Sequence, residues 1–440
     1  MTILTKFCRL LPILALFLTP IGAADGPRYR SDRVILLPKR GVAPEKLAQL
    51  HSAQGRRVLK SYNWLGGLQV VQLAAGENVG EAIFRLRASG NVEFAEPDFK
   101  LRSFANPNDP EFRRGTQWAL YNTGQSGGKV GSDISAVAGW DTISSASNIV
   151  VAIVDSGVRY THEDLAANMW RNPAEIPGNG LDDDRNGYVD DVHGIDAIVN
   201  TGDPMDDAGH GTHVAGIIGG VGNNGIGIAG VAWKVQLMAL RFLSKAGDGD
   251  TSDAIQCIDY ARRMGANVIN ASWGGSDYSV ALYSAINTAR NAGLIFVTAA
   301  GNDVDNLDQT PLYPACFNLD NIVVVGGTTR SDAWDSSYSS YGASSVDLFA
   351  PGTGIYSTWH TWDGSYTSST GTSMSTPYVA GVVALMKARF TNYSNTQIIS
   401  RLLATVDALP ALAGKCKSGG RLNMARALGP NPAAGFSAST

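Results

Sequence analysis

Two apolar runs lack the polar face of a surface helix: Val214-Ala215-Gly216-Ile217-Ile218, and Tyr378-Val379-Ala380-Gly381-Val382-Val383-Ala384-Leu385-Met386. A helix that is apolar all round is buried on all sides, so both belong inside a domain. Short apolar runs bounded by turn residues predict the buried strands of a mostly parallel sheet at 149–154, 235–240, 268–271, 294–298 and 322–325. Helices on both faces of that sheet make an α/β three-layer sandwich. The N-terminal part reads differently. Its pattern is strand 34–37, helix 44–54, strand 58–62, strand 68–73, helix 79–88 and strand 92–96, a small ferredoxin-like α+β unit.

Composition narrows the classes. The chain has 440 residues and a net charge of −4 without long like-charge runs, which argues against nucleic acid or an anionic membrane as partner. The serine-rich stretch 336–345 reads as surface loop. Lys6 and Arg9 precede an apolar run at 10–18, and Gly22-Ala23-Ala24 follows, the order of a secretory signal over residues 1–24. The run is too short to span a bilayer, so export without a membrane anchor is expected. Cys8 leaves with the signal, and Cys257, Cys316 and Cys416 remain, enough for one internal bridge at most. Cys257 lies among apolar neighbours in a helical pattern and reads as buried and unpaired. A bridge between Cys316 and Cys416 is left open.

The chemistry gathers at element ends. Gly371-Thr372-Ser373 precedes the second apolar helix, with Pro377 expected in its first turn, so Ser373 sits at a helix N-terminus where free N–H groups and the dipole favour negative charge. A hydroxyl there can act as a nucleophile whose adduct carries an oxyanion, if a base and an acid lie elsewhere. Asp155, in Asp155-Ser156-Gly157, ends the 149–154 strand, where open α/β sheets place their sites. His210 opens the first apolar helix within Gly209-His210-Gly211-Thr212-His213. A zinc reading of His210 and His213 lacks the remaining ligands at metalloprotease spacing. Ser272-Trp273-Gly274 and Ala299-Ala300-Gly301-Asn302 follow two further strands.

A separate acidic run points to a cation. Asp182, Asp184 and Asn186 alternate, Gly187 permits a sharp turn, Tyr188 offers its carbonyl, and Asp190 falls two further on, as in the first nine positions of an EF-hand-like loop. Position twelve is His193, so Asp191 or a distant group must complete a calcium shell.

These motifs, in this order, resemble the subtilisin-like serine proteases, with the inhibitory propeptide still attached. Leu50-His51 and the ending Val92-Glu93-Phe94-Ala95-Glu96-Pro97-Asp98 are similar to that propeptide. The resemblance covers nearly everything from Val34 to Leu428 and departs at Ser375, where the family usually has alanine. It implies a propeptide at 25–104, a peptidase domain at 105–428 and a short tail at 429–440, with self-cleavage between Leu101 and Pro107. It implies that Ser373 attacks, His210 carries the proton, Asp155 orients the imidazole and Asn302 serves the oxyanion hole. Substrate would add as a strand between Ser272, Trp273, Gly274 and Ala299, Ala300, Gly301. By the same pattern Leu312 floors the pocket for the residue before the cut, and Asp303 lies at its rim, favouring a basic residue by about 0–1 kcal/mol. Broad cleavage is expected. The resemblance also implies a second structural calcium site at Asp109, Asp164 and Asn224. The partners implied are protein or peptide substrates and the chain's own propeptide, and the protein is expected to be a monomer. An inert secreted scaffold that kept the fold, or an esterase using the same three residues, is the alternative.

Overall fold

The computed structural model describes residues 29–100 and 106–429. The expected signal, residues 101–105 of the expected cleavage segment and residues 430–440 of the tail lie outside the described residues. Contacts divide the chain into two compact units, Met1–Ser103 and Phe104–Thr440.

In the first unit the strands are β1 (Tyr29–Pro38), β2 (Arg57–Tyr62), β3 (Leu68–Gln72) and β4 (Val92–Phe99), with helices α1 (Pro44–Ser52) and α2 (Val79–Ala88). The sheet order is β2-β3-β1-β4, and all neighbours run antiparallel. Alternate residues of β1, Val34 and Leu36, meet Val79, Ala82 and Leu86, which line one face of α2 at helical spacing. The Asn78 side chain accepts from the N–H groups of Gly80 and Glu81 and so starts α2. This is the small α+β unit that the pattern predicts.

The second unit is built on nine strands: β5 (Ser145–Asp155), β6 (Gly194–Asp196), β7 (Lys234–Arg241), β8 (Val268–Ala271), β9 (Ile295–Ala299), β10 (Ile322–Thr328), β11 (Leu348–Pro351), and, after the hairpin β12 (Ile355–Thr358) and β13 (Tyr366–Ser369), β14 (Asp407–Ala408) and β15 (Gly420–Arg421). Their order is β14-β15-β11-β10-β9-β8-β5-β7-β6, parallel everywhere except between β14 and β15. The five expected strands form the centre. Side-chain alternation splits β5 between two cores. Val151 and Ile153 face α3 (His210–Gly219) and α6 (Thr372–Arg389), whereas Val150, Ala152 and Val154 face α4 (Thr251–Arg263) and α5 (Val280–Asn291). Three layers result, with α7 (Asn395–Ala404) joining the first face.

Every residue of α6 from Thr372 to Met386 is buried, as its apolar pattern demands. One expectation needs correction. Pro377 lies in the second turn of α6, not the first, and it removes the donor that the Ser373 carbonyl would meet. The Ser272 hydroxyl donates to that carbonyl instead, at 3.0 Å, so the proline's loss is made good from β8's end.

Candidate active site

Five element ends converge at the carboxyl edge of the parallel strands. Asp155 closes β5 and is wholly buried. Its Oδ1 lies 2.7 Å from Nδ1 of His210, the first residue of α3, and accepts from the Ser156 N–H at the same distance. The imidazole stays 34 % exposed and faces the cleft. Burial alone would lower its pKa, but the charge of Asp155, the bond to it and the charge of Asp206 together outweigh burial and hold it above the usual histidine value.

Asp206 is a member of the site that the sequence pattern did not single out. It is 3 % exposed and accepts from Ser156 Oγ at 3.0 Å, Ala208 N at 2.9 Å, Gly209 N at 2.8 Å and Thr212 N at 3.0 Å, and Thr212 Oγ1 donates to it at 2.5 Å. Ser156 Oγ in turn accepts from Gly211 N at 2.9 Å. A carboxylate thus satisfies donors at the N-terminus of α3 and ties the helix to the turn after Asp155. An acid four residues before a histidine-led apolar helix is the signal that could have found it.

Ser373 is 9 % exposed at the start of α6. Its hydroxyl donates to the Ser272 carbonyl at 3.1 Å, and among the described residues it makes no bond to His210. Asn302 lies across from it. Its Oδ1 accepts from the Thr372 N–H and from Thr372 Oγ1, both at 2.9 Å, and among the described residues the amide N–H groups make no hydrogen bond. A Cβ on Gly371, whose φ is +155°, would come within 3.3 Å of that amide nitrogen. Thr372 is therefore the anchor of Asn302, a second role the pattern left unread.

Ser272, Trp273 and Gly274 run on from β8, and the Trp273 indole N–H donates to the Val154 carbonyl at 2.8 Å. Ala299 ends β9, and Ala300 and Gly301 continue it, with the Ala300 N–H bonded to Val325 O and the Gly301 N–H to Thr372 Oγ1. Leu312 sits between these segments: a Cβ on Gly274 or on Gly301 would meet its side chain at 3.0 or 2.9 Å. Asp303 is exposed just after Asn302. On the other side of Ser272–Gly274 a cleft of about 370 Å³ opens beside His210.

The acidic loop folds around its own carboxylates. Asp182 accepts from the N–H groups of Asn186 and Gly187, and Gly187 has φ +103°, the left-handed region that glycine suits. Ligand oxygens of Asp184, Asp191 and Glu175 lie within 4.8 Å of one another. Glu175 was not foreseen, since it stands before the run. Its Oε1 accepts from Asp183 N at 2.9 Å, while its Oε2 is buried without a partner. An orphaned carboxylate oxygen among oxygen donors fits a hard cation. The Asn186 amide bridges Asp184 and Asp191. Asp190 points elsewhere, accepting from the N–H groups of Gly178, Asn179 and Gly180, and the Tyr188 phenol is hydrogen bonded to Gln256. Asp109, Asp164 and Asn224 also come together: Asn224 Nδ2 donates to Asp164 at 2.8 Å, and Asp109 accepts from the N–H groups of Asn223 and Asn224. Burial pushes the Asp164 carboxyl up to about 7 against bonds from Ile228 and Asn224. The three cysteines 257, 316 and 416 are free thiols, and Cys257 is buried as expected.

An acid bonded to an imidazole at the carboxyl edge of an α/β sheet, with a serine at the start of a buried helix whose hydroxyl bonds the segment after β8, is the set of groups that serine-nucleophile chemistry uses. Comparison supplies the family. The Subtilase family pattern matches residues 146–429 and the Fervidolysin N-terminal prodomain matches residues 19–98, so the chain belongs to the subtilase family. It is 38 % identical to thermitase of Thermoactinomyces vulgaris over 67 % of this chain and 93 % of that protein. It is 32 % identical to Subtilisin-like protease 1 of Plasmodium vivax over 92 % of this chain, and spans 66 % of that relative and 50 % of its Plasmodium berghei counterpart. Among solved structures, a protease from Pseudoalteromonas arctica PAMC 21717 aligns with a TM-score of 0.59 at 32 % identity, covering 74 % of this chain and 99 % of that one. Among the described residues no helix is long and apolar enough to cross a membrane.

Proposed function

We propose that this subtilase is a secreted, monomeric serine endopeptidase, made as a precursor that cuts itself between Leu101 and Pro107 and is inhibited until then by its own prodomain. The observation that carries the reading is the Asp155–His210 bond at a cleft also lined by Ser272, to whose carbonyl the Ser373 hydroxyl donates, with the Asn302 amide oxygen engaged by the neighbouring Thr372. The Ser373 hydroxyl turns from the Ser272 carbonyl to Nε2 of His210, gives up its proton there and attacks the scissile carbonyl. Asp155 keeps Nδ1–H donating, which leaves Nε2 as the acceptor. The new oxyanion takes the Asn302 amide and the Ser373 N–H, one such donor being worth roughly 3 kcal/mol. His210 then returns its proton to the leaving amine, and water repeats the sequence on the acyl-enzyme. Substrate adds as a strand between Ser272–Gly274 and Ala299–Gly301, with its last residue before the cut over Leu312 and near Asp303.

Calcium is assigned to two structural sites: Glu175, Asp184 and Asp191 with the Asp182–Asp190 loop, and Asp109, Asp164 and Asn224. When bound, the ions cross-link loops by charge and take no part in the chemistry. An active-site-directed fluorophosphonate tests the enzyme reading directly. Labelling at Ser373 after prodomain removal is expected, and an unlabelled Ser373 would leave only an inert scaffold. The Ser373→Ala precursor is expected to remain uncut, and the N-terminus of the secreted wild type to fall at 102–107.

A further inference from the structure

The cleft beside His210 is separated from the Leu312 slot by the Ser272–Gly274 segment, which is the wall that both share; Leu312 and Gly301 do not line it. Besides His210, its one ionisable lining residue is Lys245. Lys245 is exposed on the loop after β7, in a turn closed by bonds from Ser244 N to Asp248 O at 2.7 Å and from Gly247 N to Ser244 O at 2.9 Å. Among the described residues its ammonium has no hydrogen bond or ion pair. The carboxylates around the cleft are committed elsewhere: Asp155 to His210, Asp206 to α3 and Ser156, and Asp207 to Arg241 at 2.9 Å. Asp248 and Asp250, on the same loop, are exposed and make no ion pair with it.

We infer that Lys245 is a specificity residue that selects peptides carrying an Asp or Glu side chain at the second or fourth residue before the cut, an inference that rests on the endopeptidase reading of this cleft. Side chains of an extended strand alternate between its two sides. A peptide whose last residue before the cut enters the Leu312 slot turns its second and fourth residues to the opposite side, where His210 and Lys245 stand. A carboxylate there meets an unpaired ammonium, whereas the third residue faces away. Because Lys245 is solvated, the gain is modest, about three- to fivefold in kcat/KM at low salt, carried by KM because the contact is present before and during the reaction alike.

The test uses the mature enzyme and fluorogenic peptides that differ only by Glu, Gln or Lys at the second, third or fourth residue before the cut. Glu is expected to exceed Gln at the second or fourth position and not at the third. The advantage should vanish at about 1 M salt, where the screening length is about 3 Å. It should be absent in Lys245→Met and replaced by a preference for Lys in Lys245→Glu. Equal cutting of Glu and Gln peptides at both positions overturns the assignment, as does an advantage that survives in Lys245→Met. If the wild type cuts none of the peptides, the endopeptidase reading falls first and this inference with it.

Discussion

At the scale of single residues, the proposed mechanism needs a neutral His210 to accept the Ser373 proton, so activity is expected to fall as the pH drops through its raised pKa. Burial opposes that rise, and Asp155 and Asp206 supply it. In Asp206→Asn the shape is kept and one charge is lost, so the acid limb of the kcat/KM profile should move to lower pH. An acid limb that stays in place would show that the Asp206 charge does not reach His210. The variant also turns an amide N–H toward donors such as Gly209 N or Thr212 N, at a cost of about 1–3 kcal/mol in stability. Thr372 makes a second case. Its hydroxyl and N–H both hold Asn302 Oδ1, and Thr372→Val removes one of the two. A lost bond of about 1 kcal/mol loosens the proposed oxyanion donor, so kcat should fall several-fold with KM little changed, and Thr372→Ser should restore it. A KM effect alone would place Thr372 in substrate binding instead.

At the scale of elements, what was legible followed from local spacing. The apolar run of α6, the two-residue alternation of β5 and the Asp182, Asp184, Asn186 progression are written in neighbouring residues. The helix and the strand need no distant partner to be read, whereas of the acidic progression only Asp184 joins the carboxylate cluster, with Asp191 and Glu175. Asp206, Thr372 and Glu175 were not legible in that way, because each acts on a group that only the fold brings near. The short strands β6 and β11 and the polar hairpin β12–β13 escaped for a related reason: three or four residues carry too little periodicity to register. Glu175 shows the consequence for the acidic loop. It lies ahead of the run, yet its carboxylate gathers with those of Asp184 and Asp191 and its Oε2 is buried without a partner, while Asp190 is spent on the 178–180 backbone. Calcium bound to the folded state raises its stability by mass action. Melting of the Ser373→Ala chain should therefore occur at higher temperature in calcium than in chelator. In Glu175→Gln the first site should lose most of its share of that difference, and in Asp190→Asn little of it. Equal losses in the two variants would return Asp190 to the shell.

For the molecule as a whole, the strand ends of β5, β8 and β9 and the starts of α3 and α6 meet at one edge of the sheet, so the chemistry depends on α3 staying docked. His213, one turn after His210, holds it there. Its wholly buried Nε2 lies 3.1 Å from Ile355 O and 3.2 Å from Thr367 O, across to β12 and β13. Burial, then the charge of His210, push its pKa down to about 4, from an ordinary value near 6.5. The unfolded chain thus takes up a proton first as the pH falls. Between about 6.5 and 4 the folded state loses stability with acid, and above that window the contribution is fully present. The full shift corresponds to about 3 kcal/mol for this group. Other buried groups add slopes of their own, so the comparison must be between variants. In the Ser373→Ala background, which removes self-digestion, His213→Ala should melt lower than its parent at pH 7 because of the cavity it leaves. It should then lose less on going from pH 6.5 to 4, and the two melting curves should converge. Parallel losses across that range would show that His213 is already protonated in the fold and that its bonds to the hairpin are not those of a neutral ring.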